Sequence, residues 1–299
     1  MFLGGDEGFV SDKKFYATVV TFHPHPQEFF SGQPRSLLTP LAEKGALLKA
    51  MGIEQLVLLP FNHELAALTP EQFVEKILLQ SLQAKKVSVG LDFCFGHRRA
   101  GTASDLRAIA ATYGIEVTIA PLKNLEGERI SSSAIRKALQ AGDLQSANCL
   151  LGRSYSLVGK VCEGQQLGRT LGFPTANLQL PPEKFLPRSG VYAVQVHICE
   201  KTDSCNLLTE PKLLGVMNIG FRPTLDGTTQ VIEVHLLDWA GDLYGRTLVV
   251  HLAEFLRPEQ KFASLDVLKA QIQADCVAAK AILTKDQSAS LPPGNSEPG

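Results

Sequence analysis

Four stretches of the chain combine residue types able to do chemistry. The densest is Gly159-Lys-Val-Cys-Glu-Gly-Gln-Gln-Leu-Gly-Arg-Thr-Leu-Gly-Phe-Pro-Thr-Ala-Asn-Leu178. Gly159, Gly164, Gly168 and Gly172 let the backbone approach a bulky anion such as a nucleotide phosphate. Thr175 and Asn177 then offer two hard oxygen ligands, on one side of the chain if it is extended. Hydroxyl and amide oxygens, completed by phosphate oxygens and water, suit Mg²⁺. The same residues also fit a glycine-rich turn leading into a strand. The pattern G-x-x-x-x-G-K-[ST] is absent, so this is not a Walker A loop. The second stretch is Val231-Ile-Glu-Val-His-Leu-Leu-Asp-Trp239. Strand alternation puts Val231, Glu233 and His235 on one face and Ile232, Val234 and Leu236 on the other. If the first face lines a pocket, Glu233 can take a proton from a substrate hydroxyl as it attacks phosphorus, a step worth about 10²–10⁴-fold. A solvated outer face fits the same alternation, and His235 reads as a structural histidine.

The third stretch is Ile130-Ser-Ser-Ser-Ala-Ile-Arg136. Ser131 or Ser132 can cap a helix whose free N–H groups bind an anion, with Ser133 and Arg136 three apart on one face. A plain capped helix with a surface arginine is the alternative. The fourth is His23-Pro-His25. An H-x-H pair can open a metal-hydrolase site, but prolines bracket these histidines and no H-x-x-x-H partner set follows, so the spacing disfavours metal.

Two kinds of element must carry these stretches. In the first half, strand-like runs at Tyr16–Phe22, Gln55–Leu59, Lys86–Val89 and Ile115–Ala120 have helical stretches between them. Thr39-Pro40 opens one, running to Gly52, and Thr69-Pro70-Glu71 opens another, each a cap followed by Pro in the first turn. Short strands alternating with helices predict an α/β domain with a parallel sheet over residues 1–152. Two short helices, Ser132–Ala141 and Asp143–Leu151, are separated by Gly142. The texture then changes. Strand patterns at Tyr155–Val161, Gly190–His197, Lys212–Asn218, Gln230–Leu236 and Thr247–Phe255, divided by Gly, Pro and Asp turns, predict a small barrel over 153–284. A helix at Leu265–Leu283, with Leu268, Ile272 and Cys276 on one face, closes it. Residues 285–299, rich in Ser, Pro and Gly, read as a disordered tail.

Composition removes several functions. Lys+Arg is 29 against Asp+Glu 30, so neither disorder nor a phosphate-backbone grip is favoured, and nucleic acid is an unexpected partner. No apolar run approaches the roughly 18 residues of a membrane span, and the start lacks a signal-peptide pattern. Six scattered cysteines without C-x-x-C read as reduced thiols of a cytoplasmic protein. Oligomeric state is not legible.

Gly168-Arg-Thr-Leu-Gly-Phe-Pro-Thr-Ala-Asn177, Gly215-Val-Met-Asn-Ile-Gly-Phe-Arg-Pro-Thr224, Glu233-Val-His-Leu-Leu-Asp238 and Phe255-Leu-Arg-Pro-Glu-Gln-Lys-Phe262 closely resemble riboflavin kinase, in the expected order. The resemblance implies a six-stranded barrel that phosphorylates riboflavin with Mg-ATP. It gives Thr175 and Asn177 to Mg²⁺ and ATP phosphates, with Gly168 and Gly172 beside them, and makes Glu233 the general base. Asn218 and Arg222 would shape the flavin site, with Arg257 on a flap over it. Thr21-Phe-His-Pro-His-Pro-Gln-Glu-Phe-Phe30, Gly90-Leu-Asp-Phe-Cys-Phe-Gly96 and Ile130-Ser-Ser-Ser-Ala-Ile-Arg136 extend the resemblance to the prokaryotic enzyme that joins this kinase to FMN adenylyltransferase, an α/β nucleotidyltransferase with a Rossmann-like sheet. It implies flavin contact by His25, Asp92 and Phe93, and ATP contact by Ser132, Ser133 and Arg136. That family usually has Thr where Ser133 stands, and the hydroxyl is kept. Its G-x-F-D-G-x-H-x-G-H signature is not found. The first strand, its loop and much of the first helix are expected to be absent or replaced, through a misassigned start or loss of one activity. The expected product is therefore FMN, with little or no FAD. A bifunctional enzyme with a longer start and a non-catalytic flavin- or nucleotide-binding regulator are the alternatives.

Overall fold

The structure is a computed structural model that describes residues 2–3, 15–125, 127–164, 167–199, 213–224 and 227–289. The histidine-free stretch 4–14, Cys205, Lys212 and the tail beyond 289 lie outside the described residues. The chain forms two compact units, one of residues 1–35 and 44–129, the other of residues 36–43 and 130–299.

The first unit is built on a five-stranded sheet of order β3-β2-β1-β4-β7: β1 (Phe2–Leu3), β2 (Thr18–His23), β3 (Gln55–Pro60), β4 (Lys86–Gly90) and β7 (Glu116–Ala120). Its helices are α1 (Pro26–Ser31), α2 (Leu41–Ala50, which carries the boundary between the units), α3 (His63–Ala67), α4 (Pro70–Phe73, continuing as a π-helix over Val74–Ser81) and α5 (Ala103–Thr112). The short strands β5 (Cys94–Phe95) and β6 (Gly101–Thr102) pair, as do β8 (Asn124–Leu125) and β9 (Glu128–Arg129). The cap read at Thr69 is present: its Oγ1 accepts from Gln72 N at 3.2 Å, and Gln72 Oε1 accepts from Thr69 N at 3.0 Å. β2 pairs parallel with β3 and β4 with β7, but β1 lies antiparallel between β2 and β4, with Phe2 opposite both Val19 and Ser88. The all-parallel expectation is corrected there. Two parallel strands left apart present unpaired N–H and C=O rows, and a short strand of either direction can satisfy them. Phe73, Val74, Leu78, Val87, Leu106 and Ala110 form the centre of the core, none more than 3% exposed.

The second unit begins with α6 (Ser132–Ala141) and α7 (Leu144–Leu151), separated by Gly142 with φ 82°. A closed barrel follows, of order β10-β11-β14-β13-β12-β15: β10 (Ser156–Cys162), β11 (Ala176–Gln179), β12 (Gly190–Cys199), β13 (Leu213–Thr224), β14 (Gly227–Leu236) and β15 (Thr247–Arg257). The short helix α8 (Leu167–Leu171) precedes β11, and α9 (Leu265–Ala289) runs along the outside, continuing past Leu283 where the sequence reading had a tail. Inward residues alternate with outward ones. Leu157, Tyr192, Val194, Met217, Ile219, Leu248 and Leu252 are fully buried in the barrel. Each such apolar side chain contributes about 1.5–3 kcal/mol through burial. On the outer face Cys276, Ala279 and Leu283 of α9 pack on Val191, Ala193 and Val216. The reading of every cysteine as a reduced thiol is corrected at Cys199, which is disulfide-bonded, while Cys94, Cys149, Cys162 and Cys276 are free. Cys199 ends a ten-residue strand, and spacing along the chain does not reveal which cysteines a fold brings together.

Candidate active site

The barrel's registers bring the proton- and phosphate-handling candidates into one row. Asn177 lies opposite Glu233, Glu233 opposite Asn218, Asn218 opposite Val191, and Val191 opposite Arg257. Directly opposed residues of antiparallel pairs share a face. Their neighbours Ala176, Val234 and Met217 are buried in the barrel core, so the row lies on the outer surface. It is not a solvated face. Thr175, Asn177, Asn218, Glu233 and Arg257 are all half-buried, and the row runs into a cavity of about 320 Å³ beneath α9. Gly168, Thr175, Asn218, Glu233, His235 and Arg257 line it from the barrel side. Glu259, Gln260 and Phe262 line it from the loop after β15, and Leu268, Ile272, Asp275 and Cys276 from α9.

Two other cavities border the same strands. One of about 520 Å³ is lined by Thr175, Val234, Trp239, Asp242 and Tyr244 among others, and one of about 720 Å³ by Glu163, Gly164, Asn177, Lys184 and Gln230 among others. Thr175, just before β11, thus lines two cavities and Asn177 a third. The glycines serve these two residues directly. A Cβ on Gly164 would stand 2.0 Å from Asn177 Nδ2, and one on Gly168 2.4 Å from the Phe173 carbonyl and 3.1 Å from Thr175 Oγ1. Gly172 has φ 87°, a turn conformation that other residues adopt at a cost. His235 has its Nδ1 2.9 Å from the Pro174 carbonyl oxygen and meets the Phe173 ring edge-on at 5.6 Å, a structural role at the cavity wall.

Arg257 is already engaged. Its Nε donates to the Asp275 carboxylate at 3.0 and 3.1 Å, and a terminal nitrogen donates to it at 2.7 Å. Gln271 Nε2 also donates to Asp275, at 2.9 Å. The guanidinium lies 5.7 Å from the centroid of the Phe262 ring. Glu259 and Phe262 share the sequence motif of Arg257 but drew no role from it, and Gln271 and Asp275 lie outside every motif. The Gln271/Asp275 spacing, one turn apart on the helix that closes the cavity, was the signal available. Arg222 is opposite Thr229 in the β13–β14 ladder, and its side chain lies outside the description.

The Ser-rich segment also belongs to the second unit. Ser131 is the N-cap of α6, its hydroxyl accepting from Ala134 N at 3.1 Å, while Ser132 and Ser133 are exposed in the first turn. Arg136 donates to the carbonyls of Ser36 at 3.2 Å and Ser132 at 3.4 Å, and lies 5.7 Å from the Phe185 ring centroid. The first unit holds the other candidates. His25 caps α1, its Nδ1 accepting from Gln27 N at 3.1 Å, with Nε2 3.2 Å from an Arg35 terminal nitrogen. Glu28 accepts from the backbone N–H of Arg35 and of His25, which holds its carboxyl below the usual range. Asp92 accepts from Arg129 at 2.5 Å, and Phe93 stacks on Phe95 at 5.7 Å. Among the described residues no group of three or more His, Cys, Asp and Glu could hold a metal ion.

Comparison with known proteins agrees with both halves. A riboflavin kinase family model matches residues 151–283, and an FAD synthetase model matches residues 8–134. A bifunctional riboflavin kinase/FMN adenylyltransferase from Pseudomonas fluorescens is 41% identical over 88% of this chain and 82% of its own length. The protein of the same description from Escherichia coli strain K12 is 42% identical over 88% and 81%. A crystal structure described as a macrolide-efflux protein from Streptococcus pneumoniae matches with a TM-score of 0.75 and 32% identity, covering 88% of this chain and 83% of that one. Among the described residues no helix is long and apolar enough to cross a membrane. By its two domain matches and its identity to these enzymes along most of their length, the chain belongs to the bifunctional riboflavin kinase/FMN adenylyltransferase family.

Proposed function

We propose that the second unit phosphorylates riboflavin from ATP, giving FMN and ADP, with Glu233 as general base. The single observation that carries this reading is the register row that sets Glu233 between Asn177 and Asn218 at the edge of the cavity beneath α9. A flavin ring suits that cavity, walled by Leu268, Ile272 and Phe262. The terminal ribityl hydroxyl then reaches Glu233, whose carboxylate accepts its proton as the oxygen attacks the γ-phosphorus. The cavity with Trp239 and Tyr244 on its wall has the character of a nucleoside-base site, with Thr175 between it and the flavin. Gly164 and Gly168 leave room for Asn177 and Thr175 to be held in place, so these donors are pre-oriented. Two neutral oxygen donors without a carboxylate cluster fit a Mg²⁺ that takes its other ligands from phosphate and water. Thr175 and Asn177 would hold that ion, which neutralises charge on the transferring phosphoryl group. The remaining roles follow the family pattern: Asn218, Arg222 and Arg257 on the flavin side of the kinase, Gly168 and Gly172 at its phosphates, His25, Asp92 and Phe93 of the first unit for flavin, and Ser132, Ser133 and Arg136 of the second unit for ATP. The reading describes a cytoplasmic enzyme whose partners are riboflavin, FMN and ATP.

Adenylylation of FMN by this 299-residue polypeptide is slow or absent in this reading. The 299 residues contain no match to the G-x-F-D-G-x-H-x-G-H pattern. Removing one preorganised donor to a developing charge lowers rate by about 10²–10³. The test is one incubation of the purified chain with riboflavin, ATP and Mg²⁺, separating the flavins over time. FMN accumulating without FAD is expected. Absence of FMN overturns the kinase reading, and FAD forming at the rate of FMN overturns the second part.

A further inference from the structure

We propose that Glu259 is a substrate-specificity residue, accepting a hydrogen bond from a ribityl hydroxyl close to the one that attacks phosphorus. The proposal rests on the riboflavin kinase reading above. Most polar groups on the flavin cavity are already committed. Arg257 and Asp275 hold each other, and His235 is tied to the Pro174 carbonyl. Glu259 is different: it lies in the loop after β15, lines the same cavity as Glu233, and is exposed.

Its placement depends on a glycine. A Cβ on Gly220 would stand 2.2 Å from Glu259 Oε1 and 3.1 Å from Asn218 Nδ2. The carboxylate therefore lies over the bare backbone of β13, beside the Asn218 amide. Gly220 is two residues beyond Asn218 on the same face of the strand, and Asn218 is opposite Glu233. Two residues along a strand span roughly 6–7 Å. A carboxylate at that separation from the base reaches polyol carbons next to the terminal one, whose hydroxyls are donors in need of an acceptor once water is excluded. An acceptor built for a hydroxyl discriminates strongly, because the analogue without that hydroxyl leaves the acceptor unpaired.

The experiment uses the full chain with Glu259→Ala and, separately, Gly220→Ala, which keeps the carboxylate but pushes it off its place. Riboflavin and lumiflavin, the same ring system without the ribityl chain, are titrated by flavin fluorescence. Steady-state rates are measured with riboflavin and ATP. The expected result in both variants is a Kd and KM for riboflavin raised by about tenfold or more, as for one lost hydrogen bond to a charged group. Lumiflavin affinity and KM for ATP stay within about twofold. Riboflavin and lumiflavin weakened equally, or riboflavin unaffected by Glu259→Ala, overturns the proposal. A wild-type chain that makes no FMN overturns the kinase reading itself, and the proposal with it.

Discussion

At the scale of single residues, the cavity beneath α9 is organised by an ion pair whose acidic partner no motif announces. Arg257 and Asp275 are 16% and 7% exposed as side chains, and their bidentate contact fixes the start of the loop that carries Glu259 and Phe262. Asp275→Asn keeps the shape and removes the charge. The expected outcome is a KM for riboflavin raised about fivefold to tenfold with kcat changed less, since Arg257 is then free to leave the cavity wall; initial rates over a range of riboflavin check it. The neighbouring Cys276 thiol is buried, and burial with the Asp275 charge pushes its pKa up to about 11. A maleimide should label exposed Cys149 within minutes and Cys276 only on unfolding, which peptide mapping reads out. Strand alternation could place Glu233 and Asn177 on a face of β14 and β11, while the roles given to them and to Thr175 came from the family resemblance. Asp275 and Gln271 were not legible, because their significance comes from where α9 docks.

At the scale of elements, the second unit contains a strap taken from far back in the chain. Ser36–Glu43 lies against the segment Glu183–Phe185: Leu37 N donates to the Glu183 carbonyl at 2.6 Å, and Phe185 N to the Leu37 carbonyl at 2.9 Å. Lys184 Nζ donates to Glu43 Oε2 at 2.6 Å and to the Leu38 carbonyl at 2.9 Å, 4.7 Å from the Tyr155 ring centroid. The two side chains are 1% and 5% exposed. Burial pushes the Glu43 carboxyl up and the Lys184 ammonium down, and each partially restores the other's charge. Such a pair adds little net stability, but removing one member strands the other in low dielectric. Lys184→Met is expected to cost about 3–5 kcal/mol, and Glu43→Leu combined with Lys184→Met to recover most of it, as measured by urea unfolding. The strap could not be read from sequence, since its partners are more than 140 residues away. The four-residue β11 was missed for the opposite reason: it is too short for a periodicity to register, although Asn177 within it and Thr175 just before it were noticed.

At the scale of the whole molecule, an α/β half followed by a barrel half was legible from the change in strand spacing, while the compact units divide at 129/130, ahead of α6 and α7. The antiparallel β1 at the centre of the sheet was not, because a two-residue strand has no pattern of its own. Stability of the second unit should fall in acid through His251. Its imidazole is buried at 9% exposure, its Nε2 has no partner among the described residues, and burial, aided by the Arg153 and His197 charges, pushes its pKa down to about 4. The unfolded chain titrates near 6.5, so between pH 6.5 and 4 it binds the extra proton and the native state does not. Stability is therefore full above about pH 6.5 and declines below it, by up to about 1.4 kcal/mol per pH unit. Thermal melts from pH 7.5 to 4.5 should show this decline, and His251→Gln should flatten it. The central claim is that a carboxylate at 233 moves the proton in FMN formation. The most direct measurement is the rate of FMN formation by Glu233→Gln alongside riboflavin affinity in the same preparation. The account predicts affinity within about twofold of wild type and a rate lower by about 10²–10⁴. FMN formation within tenfold of wild type, with flavin bound normally, would contradict it.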